Sequence, residues 1–168
     1  MQLTFTKMHG LGNDFVVINA VSKPISLTTA QLRFMANRHF GIGCDQILLV
    51  EASGVLGVDF RYRIFNADGS EVQQCGNGAR CFARYVRDQG LTTKDRLTVE
   101  TPAGLIYPRL EANGEVTVNM GTPRLTPSDI PFQADQTAVQ YPITVGTDTY
   151  QIGAVSMGNP HAVLLVDA

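Results

Sequence analysis

Apolar and polar residues alternate in short runs along most of the chain, which predicts a protein built mainly of β-strands. In the clearest run, Val58 to Asn66, every second residue from Val58 to Ile64 is apolar, while aspartate and arginine lie between them. Asn113-Gly114 predicts a two-residue hairpin between two further strands. Other runs rich in β-branched and apolar residues predict strands at 3–8, 14–20, 45–51, 96–101, 105–110, 116–120, 139–145, 149–154 and 161–166.

Two segments have the spacing of amphipathic helices. The first begins at a Thr28 or Thr29 cap and runs to about residue 37. The second opens after the turn at 76–78, carries an apolar stripe from Ala79 to Val86, and ends before Gly90. Strands mixed with two helices predict the α/β (α+β) class.

A proline-rich stretch just after residue 120 interrupts the strand pattern. We therefore expect one domain over residues 1–120 and the start of a second over 121–168, which is too short to bury a sound core alone. Gly12-Asn13 precedes an apolar strand, and Gly158-Asn159 does so again 146 residues later. If the two halves are duplicates, Cys75 has a counterpart near position 221, and we expect the chain to be truncated.

The composition of the chain argues against several classes of function and location. Hydrophobic residues make up 44% of the chain, charged residues 17%, and the net charge is −2 without a basic run, so we expect a packed core and no nucleic-acid partner. We also expect no membrane segment, because no apolar stretch approaches about 20 residues, and no secretory signal. An odd count of three cysteines indicates reduced thiols, hence a cytoplasmic protein, and their spacing suits no metal site.

The segment around Cys75 has the strongest chemical character. This cysteine lies just before a turn, with Gly76 and Gly78, that opens the second predicted helix. A helix N-terminus favours a thiolate and also binds carboxylates through its unpaired N–H groups. Together these features suit removal of a proton from the carbon next to a carboxylate. The residues alone leave open a second interpretation, in which Cys75 is a buried structural cysteine before an ordinary turn.

Five motifs in this order resemble those of the diaminopimelate epimerase family: 9–15 (His-Gly-Leu-Gly-Asn-Asp-Phe), 41–46 (Gly-Ile-Gly-Cys-Asp-Gln), 65–70 (Phe-Asn-Ala-Asp-Gly-Ser), 75–81 (Cys-Gly-Asn-Gly-Ala-Arg-Cys) and 156–161 (Ser-Met-Gly-Asn-Pro-His). The resemblance implies two similar halves, each with strands wrapped round a central helix, and an active site between them. It also implies interconversion of LL- and meso-2,6-diaminopimelate for lysine and peptidoglycan synthesis, with no cofactor or metal.

The resemblance further assigns roles to individual residues. Cys75 is expected to be one of two catalytic thiols, and His161 to help set the protonation of both. The side chains of Asn13, Gln46, Asn66 and Asn159 are expected to bind the small-molecule substrate, with backbone groups of Gly76 and Asn77 holding its reacting end. Cys44 and Cys81 are expected to be packing residues. The full-length protein is expected to be a homodimer.

Three alternatives stay open at this point. A proline racemase is the nearest, although that family tends to carry histidine where Asn77 stands. A cysteine hydrolase would need a base beside Cys75, and no hydrolase signature surrounds it. A non-catalytic binding domain is the third, because the second catalytic cysteine expected after Asn159 is absent. On the epimerase hypothesis, this chain alone is expected to be inactive.

Overall fold

The computed structural model describes residues 2–73 and 75–166, and its elements belong to two units, Met1–Asn119 and Met120–Ala168. The first unit contains strands β1 (Thr6–Gly10), β2 (Asn13–Ala20), β3 (Gln46–Glu51), β4 (Phe60–Asn66), β5 (Glu71–Val72), β6 (Val99–Thr101), β7 (Gly104–Leu110) and β8 (Val116–Asn119), with helices α1 (Thr29–Ala36) and α2 (Gly76–Asp88). The second contains a 3-10 turn (Pro127–Asp129) and strands β9 (Tyr141–Val145), β10 (Asp148–Ser156) and β11 (Pro160–Val163).

The sheet of the first unit runs in the order β1-β2-β3-β4-β6-β7-β8, with β5 paired to β4. Strands β2 and β3 are parallel at its centre and are buried on both faces, which explains their nearly continuous apolar sequences. One face of β2, including Phe15 and Val17, packs in a cluster with α2, and the other face, including Val16 and Ile18, packs in a cluster with α1.

Helix α2 packs against strands β1, β2, β3, β7 and β8, so the strands wrap round it as expected. Its stripe from Ala79 to Val86 is buried, and Phe82 stacks on Tyr62 with ring centroids 5.5 Å apart. The alternation in 58–66 is confirmed, since Tyr62 and Ile64 are buried and Arg61 is exposed. The predicted start of α2 is wrong by three residues: the helix begins at Gly76, because Cys75 serves as its N-cap.

Helix α1 begins where a capping box forms. The Thr28 hydroxyl accepts from the Gln31 N–H, and the Gln31 side chain accepts from the Thr28 N–H at 2.9 Å. Of the two predicted caps, Thr28 is therefore the one used. The helix ends at Ala36, and its apolar side, Leu32 and Ala36, is buried against the sheet.

The strand predictions differ from the structure mainly at short pieces. Strand β5 was missed, since two residues are too few to show alternation. The hairpin between β7 and β8 forms, but its loop is longer than two residues: the Glu111 N–H donates to the Glu115 carbonyl, and the Gly114 N–H donates to that of Glu111. Gly114 adopts φ +88°, which a side chain would disfavour and which lets the longer turn close.

The second unit is a three-stranded antiparallel sheet in the order β11-β10-β9. A small cluster of Ile130, Tyr141, Ile152 and Ala154 is buried beside it, with Phe132 edge-on to Tyr141 at 4.8 Å. The last strand, expected at 161–166, is the shorter Pro160–Val163.

Candidate functional site

Cys75 lies at the point where the chain enters α2. Its Sγ accepts a hydrogen bond from the Gly78 N–H at 3.4 Å, so the thiol caps the helix. The Tyr62 hydroxyl contacts the backbone on both sides, accepting from the Cys75 N–H at 3.3 Å and donating to its carbonyl at 3.4 Å. The side chain is half-buried. A helix N-terminus and a half-buried cysteine are therefore combined at one position, and the sequence predicts a cysteine close to the start of this helix.

Asn13 lies beside this sulfur. It is the first residue of β2 and follows a tight hairpin turn in which Leu11 and Gly12 both have positive φ, 55° and 87°. The Asn13 Oδ1 lies 3.9 Å from Cys75 Sγ, and its Nδ2 donates to Asp45 Oδ2 at 3.1 Å. The structure therefore brings Asn13 and Cys75 together although 62 residues separate them.

Gln46 and Asn66 form a second pair of amides in the first unit. They are register partners on antiparallel strands β3 and β4, and Gln46 Nε2 donates to Asn66 Oδ1 at 2.9 Å. The Asn66 Nδ2 in turn donates to the Ser70 hydroxyl at 3.2 Å. Among the contacts of residues 2–73 and 75–166, Gln46 Oε1 is buried without a hydrogen-bond partner. A donor group of a ligand or of a water molecule would satisfy that oxygen.

Gly76 and Asn77 form the first turn of α2, directly after the thiol. A helix leaves its first N–H groups without intrahelical partners, so this turn suits a carboxylate. The Asn77 Oδ1 accepts a hydrogen bond from Arg80 at 2.8 Å. A Cβ on Gly78 would lie 2.4 Å from Ile64 Cδ1, so any side chain here would require Ile64 to shift, whereas glycine lets the helix approach β4 without that shift.

A cluster of charged side chains supports Asn13 from the other side. Asp14 forms ion pairs with Lys7 and Arg38, both at 2.7 Å, and Arg38 reaches Asp45 at 2.7 Å. The Arg38 guanidinium, helped by Lys7, holds the pKa of Asp14 well below its usual range. Hydrogen bonds from Asn13 and from the Asp14 backbone lower the pKa of Asp45. Both carboxyl groups are therefore ionised at neutral pH.

The other two thiols are packing residues, as expected. Cys44 and Cys81 are buried in the clusters on opposite faces of the sheet. Burial raises the pKa of both, to about 11 for Cys81, where the neighbouring Cys75 adds to the effect. Neither is therefore disposed to act as a nucleophile or base near neutral pH.

Asn159 and His161 belong to the second unit: Asn159 lies in the turn between β10 and β11, and His161 lies in β11. The His161 Nδ1 lies 2.9 Å from the Asn159 carbonyl oxygen, and the Gly158 N–H donates to the Ser156 hydroxyl at 3.3 Å. Gly158, before Asn159, has φ +99°, and Gly12, before Asn13, has φ +87°. His161 borders an apolar depression of about 250 Å³ with Phe132 and Ile152.

Sequence reasoning missed the charged residues Asp14, Arg38 and Asp45. Two of them flank predicted ligand-binding residues in the chain, Asp14 next to Asn13 and Asp45 next to Gln46, and this adjacency was the available signal. In the described ranges, no three His, Cys, Asp or Glu side chains are grouped so that they could hold a metal ion. Within the same ranges, no helix is both long and apolar enough to cross a membrane.

Comparison with known proteins adds the family context. The family model described as diaminopimelate epimerase matches residues 5–126. Diaminopimelate epimerase of Thioalkalivibrio sulfidiphilus is 61% identical over 168 residues, which is 99% of this chain and 60% of that protein. The enzyme of the same name from Aromatoleum aromaticum is 61% identical over 166 residues, with the same two coverages. The chain thus spans about 60% of the length of these curated relatives.

Solved structures show the same fold at lower identity. A probable proline racemase from Agrobacterium radiobacter superposes with a TM-score of 0.71 at 16% identity, over 97% of this chain and 52% of that one. A hydroxyproline epimerase from Agrobacterium vitis gives a TM-score of 0.68 at 14% identity, over 95% of this chain and 50% of that one. The predicted fold, strands wrapped round a central helix, is thereby confirmed.

Proposed function

Because the chain belongs to the diaminopimelate epimerase family, we propose that it supplies one of two acid/base thiols to an enzyme that interconverts LL- and meso-2,6-diaminopimelate. The observation that carries this proposal is Cys75, a half-buried thiol that caps α2 beside Asn13. The relatives that share 61% of its residues bear the name of this activity. We further propose that the enzyme is cytoplasmic and homodimeric, and that it uses no cofactor.

The chemistry follows from the position of the thiol. In one direction the Cys75 thiolate removes the α-proton, and the electron pair of the C–H bond passes into the adjoining carboxylate. Backbone N–H groups of Gly76 and Asn77, at the start of α2, are suited to stabilise the charge that builds there. A second thiol then returns a proton to the opposite face of the carbon, which inverts its configuration. In the other direction Cys75 is the acid.

Neutral amides suit the rest of the substrate. Diaminopimelate carries a second amino and carboxyl group away from the reacting carbon, and an amide can both donate to a carboxylate and accept from an ammonium group. Asn13, Gln46 and Asn66 offer these functions within the first unit, and we propose that they bind those groups together with Asn159. We assign His161 to the adjustment of thiol protonation.

The test uses a protein of the relatives' full length that contains this chain. LL-diaminopimelate is incubated in deuterated water, and both the meso product and deuterium at the α-carbon are measured. We expect conversion with α-deuteration, abolished by Cys75→Ala and retained by Cys81→Ala, which removes a buried thiol of the same helix. Hydrolysis, binding without exchange, or undiminished conversion by Cys75→Ala would each refute the proposal.

A further inference from the structure

We propose that Asp45 is a positioning residue: it fixes the orientation of the Asn13 amide so that the carbonyl oxygen faces Cys75 and accepts a hydrogen bond from the thiol when no substrate is bound. The inference concerns three side chains of the first unit, on β2, on the segment before β3 and at the start of α2. The catalytic consequence of this arrangement rests on the proposed function. The geometry of the three side chains and the experiment that tests it do not depend on that function.

The orientation of the amide follows from what a carboxylate can do. Asp45 Oδ2 lies 3.1 Å from the side-chain nitrogen of Asn13 and 3.1 Å from the Asp14 backbone nitrogen. An ionised carboxylate accepts hydrogen bonds and donates none, so the Asn13 atom that faces it must be the NH₂ group. The Asn13 oxygen is then the atom left to face Cys75 Sγ, 3.9 Å away. An inverted amide would put two acceptors against each other at Asp45.

Asp45 is itself held in place. Its Oδ1 forms an ion pair with Arg38 at 2.7 Å, and its backbone N–H donates to Asp14 Oδ1 at 2.9 Å. Arg38 spans both carboxylates, and Lys7 contacts Asp14 as well. The acceptor that orients Asn13 therefore does not depend on one flexible side chain but on a small network.

The sulfur of Cys75 lies between two opposed hydrogen-bonding groups. The Gly78 N–H donates to it, which favours the thiolate, and the Asn13 oxygen accepts from it, which favours the thiol.

Other titratable or charged groups near this sulfur are Tyr62 on β4, Cys81 and Arg80 on α2, and the cluster of Lys7, Asp14, Arg38 and Asp45. Reversing the Asn13 amide would replace the acceptor by a second donor. Asp45 thus keeps an acceptor, and not a second donor, beside the sulfur.

The test measures the rate of Cys75 alkylation by iodoacetamide as a function of pH, read from the Cys75 peptide by mass spectrometry. It uses this chain without substrate, and the midpoint of the profile reports the loss of the thiol proton. In Asp45→Ala the amide is free to turn its NH₂ group to the sulfur, and we expect the midpoint to fall by about one pH unit. Asp14→Asn neutralises a neighbouring carboxylate but keeps the Asp45 acceptor, and we expect it to retain the parent midpoint.

A double-mutant cycle separates orientation from charge. If Asp45 acts through Asn13, then adding Asp45→Ala to the Asn13→Ala variant does not move the midpoint of the alkylation profile any further. The proposal would be overturned if Asp45→Ala moved the midpoint equally in the parent chain and in Asn13→Ala. It would also be overturned if Asp14→Asn moved the midpoint as much as Asp45→Ala does, or if a folded Asp45→Ala variant kept the parent midpoint. Should Asp45→Ala not fold, Asn13→Ala alone decides: loss of the acceptor is expected to lower the midpoint, and an unchanged midpoint contradicts the inference. Because no substrate is used, either result is independent of whether epimerisation occurs.

Discussion

The side-chain nitrogen of Gln46 lies 2.9 Å from the side-chain oxygen of Asn66, directly across the antiparallel register of β3 and β4. This bond holds two predicted substrate amides in one orientation and leaves Gln46 Oε1 buried and facing no donor among the described residues. Polar groups that are already ordered reduce the conformational-entropy cost of ligand binding. The pair is therefore both a structural contact of the sheet and a candidate part of the site.

The first prediction concerns this pair. We expect Asn66→Ala to lower the free energy of unfolding by about 1–2 kcal/mol, because the half-buried amide of Gln46 loses its partner. Urea unfolding of the chain, followed by circular dichroism, measures the change. Ser70→Ala is the control that keeps the bond between Gln46 and Asn66. It removes the 3.2 Å bond from Asn66 and the exposed 2.6 Å bond from the Ser70 hydroxyl to Asp68, and it is expected to cost less. Equal losses in the two variants would show that the bond to Gln46 has no special weight.

The second prediction concerns the close approach of α2 to β4. In Gly78→Ala the new Cβ would lie 2.4 Å from Ile64 Cδ1, so we expect a loss of about 1–3 kcal/mol despite the better helix propensity of alanine. Ile64→Val removes that carbon and should by itself cost about 1 kcal/mol. In the double variant the costs should be clearly less than additive, as urea unfolding would show. If the two changes in unfolding free energy were strictly additive, the clash would be relieved by a movement of α2 away from β4 and not by Ile64.

The third prediction concerns acid stability. Arg38 and Lys7 depress the pKa of Asp14 in the folded chain, so the folded state binds fewer protons than the unfolded state in acid. The stabilising contribution is complete above the unfolded pKa of about 3.9 and is lost as pH falls through the lower folded value. Urea midpoints measured from pH 6 down to pH 3 should therefore fall below about pH 4 more steeply in the parent than in Asp14→Asn. Parallel curves would contradict this role.

How much of this site could be predicted depends on the distance along the chain over which each contact forms. The buried stripe of α2 and the alternation of β4 are set by residues close in sequence, and they were predicted. A helix opening soon after Cys75 was predicted as well, although its start was placed three residues too late. The ion-pair cluster joins Asp14 to Asp45, 31 residues apart, through a side-chain and backbone contact that no local pattern encodes. Strand β5 pairs with β4 across a short turn, but its two residues, Glu71 and Val72, are too few to show an alternation.

The fourth prediction concerns the relative reactivity of the three thiols. Cys75 is half-buried at a helix N-terminus, whereas Cys44 and Cys81 are buried and have raised pKa values. At pH 8, limited treatment with iodoacetamide should therefore modify Cys75 first, as peptide mapping would show. In urea the order should disappear, because the difference comes from folding. Modification of Cys81 as fast as Cys75 in the folded chain would contradict the assignment.

The last prediction concerns the 168-residue chain taken by itself. Inversion at the α-carbon requires one group to remove a proton from one face and another to deliver a proton to the opposite face. Of the three thiols, Cys44 and Cys81 are buried, whereas Cys75 is half-buried and lies beside the Asn13 amide. A single sulfur can be aimed at only one face of a substrate that is held by its distal groups.

We therefore expect the isolated chain to give no measurable conversion of LL- to meso-diaminopimelate, whereas the protein of the relatives' full length that contains it converts the substrate. Alkylation of Cys75 in that longer protein should remove the activity, because it blocks one of the two proton transfers. Chiral chromatography of the product, with the alkylated protein and the Cys75→Ala variant as controls, provides the measurement. Conversion by the pure chain that is lost on alkylation of Cys75 would show that one thiol suffices.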